Sequence, residues 1–245
     1  MLVPEVKELG TTLPINAPWL LESLDEKFDD AISLLPETCV IYGGAVRDLL
    51  AGLPIAGDLD IAVPHKQYAG LRKVFSDSVR WLIKPGNIPV PRDYRRPSAR
   101  IISGVTSYTN ITGDEIQLIQ ACATNKLTVM GNQLKYNSGV LDIITSVDLK
   151  CSAVMMDVFG NAFEVLPGAL EDCENKVLNF NEELNLKEVY KKTIARRIQK
   201  LESRGWANNI DISRFNDEPE PTKTISDNGT RQKTNFFSKP PTVKF

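Results

Sequence analysis

Tyr42-Gly43-Gly44-Ala45-Val46-Arg47-Asp48-Leu49-Leu50, followed by Asp58-Leu59-Asp60-Ile61-Ala62, is the stretch on which the fold turns. The apolar run Cys39-Val40-Ile41 ahead of it reads as a buried strand. The Gly-Gly pair is a turn that opens a helix over residues 46–50, and Gly52 closes it. Leu59, Ile61 and Val63 then alternate with the two aspartates, as in a strand with one buried face. Side chains at i and i+2 of a strand share a face, so Asp58 and Asp60 can share a divalent cation. Mg2+ is the expected ion, since it prefers carboxylate and phosphate oxygens. Gly43 and Gly44 let backbone N–H groups and a helix N-terminus approach a phosphate chain. A phosphate cradle beside paired carboxylates is what nucleotidyl transfer needs.

Outward from this block, residues 1–17 read as an irregular lead-in with Pro4 and Pro14. Residues 20–35 read as one amphipathic helix through Leu20, Leu21, Leu24, Phe28, Ile32 and Leu35, ended by Pro36. Residues 66–75 form a further helix. Residues 84–100 are Pro-rich and basic, with Arg92, Arg95 and Arg96 against a single Asp93, and read as a long loop. Strands are expected over 101–105 and 116–121, and a hairpin over 152–158 and 162–166 about Gly160-Asn161. A short helix begins at 167–173. Residues 184–204 carry the longest helical signal, with Lys191, Lys192, Arg196, Arg197 and Lys200 as a basic set. From Asn216 the composition turns to Pro, Thr, Ser, Asn and Lys, and reads as disordered in isolation. The expected organisation is a lead-in (1–17), a head domain (18–180), a helical extension (181–210) and a flexible tail (211–245).

With 42% hydrophobic and 24% charged residues, the 245-residue chain has the composition of a globular protein. A formal net charge of −2 gives no global attraction to nucleic acid, so RNA contacts must be local. The four cysteines show no CxxC spacing and His65 is the single histidine. A zinc site and a disulfide framework are therefore not expected. No apolar run reaches the roughly 18 residues that span a bilayer, and the expected location is the cytoplasm.

The block at 43–62 resembles the head domain of the tRNA CCA-adding enzymes and bacterial poly(A) polymerases, which reads GGxVRDxLLG…DhDhAT. Residues 148–157, Asp-Leu-Lys-Cys-Ser-Ala-Val-Met-Met-Asp, resemble the family's DFTINALAYD, and residues 167–178 its GxxDLxxKxLR. The resemblance runs from about residue 38 to 204. It implies an α/β (α+β) nucleotidyltransferase fold of the polymerase-beta-like superfamily: a mixed β-sheet flanked by helices, then a C-terminal basic helix and a disordered tail. It implies an NTP as donor and an RNA 3′ end as acceptor. Asp58 and Asp60 would hold Mg2+, and Gly43, Gly44, Arg47, Asp48 and Asp148 would serve the nucleotide. Arg47 is placed to pair with phosphate or with Asp48, and Asp148 to contact ribose or to cap a helix. Arg92, Arg95, Arg96, Lys192, Arg196 and Arg197 are the candidate RNA contacts, or a solvated face.

Three departures stand out. Gln117 falls where the family has a third carboxylate, with Glu115 two residues earlier as its stand-in or a plain strand-edge acid. Ser146 and Val147 occupy the places of two arginines. No EDxxR element is evident after residue 205. Two alternatives to RNA 3′-end extension follow. One is a small nucleotidyltransferase that modifies a protein or a tRNA. The other is an inactive nucleotidyltransferase fold used for binding or assembly, with the Phe-bearing tail docking on a protein partner.

Overall fold

Along residues 59–63 the side chains alternate between two buried layers, not one buried and one solvated. Leu59, Ile61 and Val63 join one apolar cluster and Ala62 the other, so only the Asp60 end of this strand opens to solvent. The structure, a computed structural model, describes residues 6–9, 15–28, 31–84, 101–130, 134–186 and 189–217. In chain order its elements are β1 (Val6–Leu9), β2 (Ile15–Asn16), α1 (Pro18–Phe28), β3 (Val40–Tyr42), α2 (Gly44–Leu50), β4 (Leu59–Val63), α3 (His65–Asp77), β5 (Leu82–Ile83), β6 (Ile102–Thr109), β7 (Glu115–Ala121), β8 (Leu127–Met130), β9 (Leu134–Asn137), α4 (Ser138–Thr145), β10 (Val154–Met156), β11 (Asn161–Glu164), α5 (Ala169–Asn175), β12 (Val177–Leu178), α6 (Lys191–Glu202) and β13 (Ala207–Asn208).

Eight strands form one mixed sheet in the order β2-β11-β10-β3-β4-β7-β6-β5. Its neighbours are antiparallel except β4 and β7, which run parallel. Parallel strands need a crossover, and here it contains α3, β5 and β6. One sheet face is covered by α1, α2 and α3 through Leu20, Leu24, Phe28, Val46, Leu71 and Phe75. The other is covered by α4 through Val140, Leu141, Ile143 and Ile144 against Val40, Ala62 and Ile119. Asn137 caps α4, its side chain accepting from the Gly139 N–H at 3.1 Å.

Several expectations change. The segment 1–17 contains β1, paired with β8, and β2, paired with β11. Long-range pairing, not local pattern, makes these strands. The helix expected over 20–35 ends at Phe28, and a separate 3-10 turn spans Ile32–Leu34. Its i→i+3 geometry keeps Ile32 and Leu35 buried and so mimics helical spacing. The helix expected from 184 begins at Lys191. Tyr190 is extended (φ −97°, ψ 136°), and Asn181 holds the preceding residues in a turn by accepting from Glu183 and Leu184.

The extension is tied to the head by β12–β13 pairing, while a bridge Leu149–Phe180 closes the end of the head and a bridge Tyr190–Asn216 joins the extension to the residues after it. Within the expected tail, residues 211–217 are folded: Phe215 stacks edge-on against Phe180 at 4.8 Å. Residues 218–245 lie outside the described residues, as does the basic loop at 85–100 with Arg92, Arg95 and Arg96. Cys39, Cys151 and Cys173 are buried and Cys122 is half-buried. Among the described residues no helix is long and apolar enough to cross a membrane.

Candidate functional site

A cleft of about 320 Å³ opens where β3 and β4 meet the Gly43 turn, the α4 exit and α6. Asp58 and Asp60 line it with Gly43, Gly44, Arg47, Asp48, Asp148, Arg197 and Lys200. Asp58 stands just before β4 and Asp60 within it. Both carboxyls lie above their ordinary value of 3.8, Asp60 well above. Burial is the largest cause for each. Repulsion follows, from Glu115 on Asp58 and from Asp58 and Glu115 on Asp60. Lys200 and Lys84 pull Asp58 back down, and Arg197 and Arg47 pull Asp60 down.

A carboxyl whose folded value is raised favours folding below its unfolded value, and that advantage is lost as pH rises through the folded value. The expected result is that the native protein loses stability relative to an Asp58→Asn/Asp60→Asn variant as pH rises above about 4 and through the raised carboxyl values. Urea unfolding at each pH measures it.

Gly43 has φ +73° and ψ −133°, a region closed to side chains. Its position brings the turn against Asp60, whose Oδ2 would lie 3.6 Å from a Cβ placed there. The Gly43 N–H donates to the Val154 carbonyl at 3.2 Å, so this N–H is engaged within the sheet and is not a phosphate donor. Gly44 starts α2, where the first-turn N–H groups have no intrahelical acceptor. Gly43→Ala is expected to cost about 1–3 kcal/mol through backbone strain, read as a lower urea midpoint.

The structure corrects the nucleotide role expected for Asp48. Its side chain is buried (2% exposed), and both oxygens are engaged. Oδ1 accepts from Arg47 at 2.7 and 3.0 Å. Oδ2 accepts from Arg204 at 2.7 Å and from the Ala56 N–H at 3.3 Å. Arg47 takes the internal alternative: it pairs with Asp48, donates to Ser152 Oγ at 3.0 Å and lies 5.7 Å from the Trp206 ring centre. Asp48 therefore joins α2 to the residues after α6.

Asp148 is buried and accepts from Arg197. This turns Arg197 into the cleft, away from the exposed basic face where an RNA contact was expected. Lys192 and Arg196 are on the exposed side of α6. Glu115 is paired with Lys84 at 2.5 Å. Gln117 sits in register with Asp60 on the parallel neighbour and donates its amide to Asp58 Oδ2.

The sequence reading missed Lys200, Ser152 and Tyr42 as cleft residues. Lys200 had a signal: it stands three residues after Arg197, beside the buried stripe Ile194, Ile198 and Leu201. Two carboxylates are a fitting donor set for one Mg2+, which is commonly held by one or two carboxylates and completed by phosphates and water.

Neither a family model nor a curated protein matches the chain, whereas solved structures do. The Thermotoga maritima CCA-adding enzyme complexed with tRNA is 18% identical, with TM-score 0.54 over 83% of this chain and 44% of that one. A CCA-adding enzyme in apo form is 16% identical, with TM-score 0.51 over 83% of this chain and 45% of that one. A CCA-adding enzyme complexed with CTP is 16% identical, with TM-score 0.50 over 81% of this chain and 44% of that one. The chain thus has the nucleotidyltransferase fold seen in CCA-adding enzymes, and it spans less than half the length of these structures.

Proposed function

We propose that this chain is a Mg2+-dependent nucleotidyltransferase that transfers NMP from an NTP to an RNA 3′ end. The observation that carries the reading is the pair of half-buried carboxylates, Asp58 and Asp60, facing a glycine turn and two cationic side chains across one cleft. Placing two like charges side by side away from water is unfavourable, and such pairs cluster where chemistry uses them. The acceptor and donor classes are supported by analogy of fold with CCA-adding enzymes solved with tRNA and with CTP.

In the reaction the acceptor 3′-oxygen attacks the α-phosphorus in line. The new P–O bond forms as the bond to the β-phosphate oxygen breaks, and the hydroxyl proton leaves to solvent. Mg2+, when bound, would supply electrostatic stabilisation to the charge that develops on the phosphate oxygens. Asp58 and Asp60 would hold it. Arg197 and Lys200 bring positive charge to the side of the cleft where the triphosphate would lie. Gly43 leaves the approach to Asp60 free of a side chain. Lys192 and Arg196 on the outer side of α6 are suited to RNA phosphates.

The test is incubation with Mg2+, each labelled NTP in turn and total RNA. Label on RNA supports the reading and names the nucleotide. Label on protein moves the acceptor and favours the protein-modifying alternative. A second reading, an inactive fold used for binding or assembly, is favoured by one observation: an amide, Gln117, contacts Asp58 where a further carboxylate would assist transfer. No transfer to RNA or protein, with NTP binding absent, would make it the better reading.

A further inference from the structure

At the cleft floor two carboxylates meet one amide. Gln117 donates to Asp58 Oδ2, and β4–β7 register places Gln117 directly beside Asp60. The next acid on the same face of β7, Glu115, is engaged by Lys84 at 2.5 Å. Among the described residues no three His, Cys, Asp or Glu side chains are grouped to hold a metal.

A pair of catalytic ions stands about 3.5–4 Å apart. Each ion needs its own oxygen ligands, and a carboxylate between them must offer both oxygens. Here an N–H donor occupies Oδ2 of Asp58. A side-chain amide N–H repels a cation where a carboxylate oxygen would ligate it. What remains is the second oxygen of Asp58 and the carboxylate of Asp60, which suffices for one ion completed by phosphate and water.

We propose that the cleft takes a single divalent cation with its nucleotide, and that the Gln117 amide fills the place a second ion would need. The proposal rests on the nucleotidyl-transfer reading of the cleft. Gln117 is then a positioning residue: it orients Asp58 toward the one ion and keeps the cation count at one.

The test uses the full chain in excess over α,β-methylene NTP analogues, with Mn2+ as the probe. Paramagnetic resonance of the free aquo ion counts the Mn2+ bound, and equilibrium dialysis counts the nucleotide. The expected result is one Mn2+ per protein–nucleotide complex, rising to two in Gln117→Glu. Gln117→Asp is the second variant should Gln117→Glu fail to fold, and thermal melts establish which variants are folded. Two ions on the native complex would overturn the inference and leave the nucleotidyl-transfer reading standing. A folded acidic variant that still takes one ion would overturn the role given to Gln117. Absence of both nucleotide and Mn2+ binding would overturn the reading itself, and the inference with it.

Discussion

The proposed nucleotidyl transfer is expected to fall by about 10³-fold or more, about 4 kcal/mol in the barrier, when Asp58 and Asp60 are both replaced by asparagine. The amides fill the same volume, so the cleft keeps its shape. What is lost is the anionic pair that would hold a cation beside the triphosphate. The fold does not need these charges, since burial raises both carboxyls, with repulsion from Glu115 on Asp58 and from Asp58 and Glu115 on Asp60. The variant should therefore melt no lower than the native protein at neutral pH while its single-turnover rate collapses. Sites that sacrifice stability for function show this split. A variant that transfers label at the native rate would remove Asp58 and Asp60 from the chemistry.

The largest loss of stability is expected from Asp48→Ala. It leaves Arg47 and Arg204 facing each other without their shared carboxylate, and their side chains are only 10% and 16% exposed. Removing one partner of a buried ion pair costs about 3–5 kcal/mol, because the remaining charge stays out of water. For a chain of this size that lowers the melting temperature by roughly 6–20 °C. The measurement is urea unfolding of Asp48→Ala beside Arg204→Ala and the double variant. A double variant much less destabilised than the sum would show that the two residues act as one unit. A loss under about 1 kcal/mol in Asp48→Ala would place this carboxylate with ordinary surface pairs.

The part of the fold legible in the sequence is the part built by local chemistry. The turn at Gly43-Gly44, the strand carrying Asp60 and the hairpin about Gly160 each follow from glycine placement and short alternation. α4 went unread although Asn137 and the run Val140, Leu141, Ile143 and Ile144 are a cap and an apolar stripe. β6 extends through Thr106, Ser107 and Thr109, polar residues held as strand by their register with β7. Leu186 and Val189 keep helical spacing before α6 begins, because residues that bury from a turn can share that spacing.

In the site, Gly43, Asp58, Asp60 and Asp148 come together as their motifs imply. The pairing of Arg197 with Asp148 and of Arg204 with Asp48 spans 49 and 156 residues. No spacing rule reaches that far, so Arg197, which reads as solvated or RNA-facing, turns out to face Asp148 in the cleft. The amide at 117 was legible only through the resemblance, and its contact with Asp58 only through the register of parallel strands.

Part of the cleft wall is made of α6, and Arg204, just after it, fastens it to α2 through Asp48. This has a consequence for biosynthesis. A ribosome that has released residues 1–190 has delivered both aspartates and the glycine turn, yet neither Arg197, Lys200 nor the fastening arginine. Chains are made from the N-terminus and fold as their partners emerge. A nascent chain halted there would hold the cleft floor and the residues at the α4 exit without α6 across from them, so the cleft closes late, after Arg204 has left the tunnel.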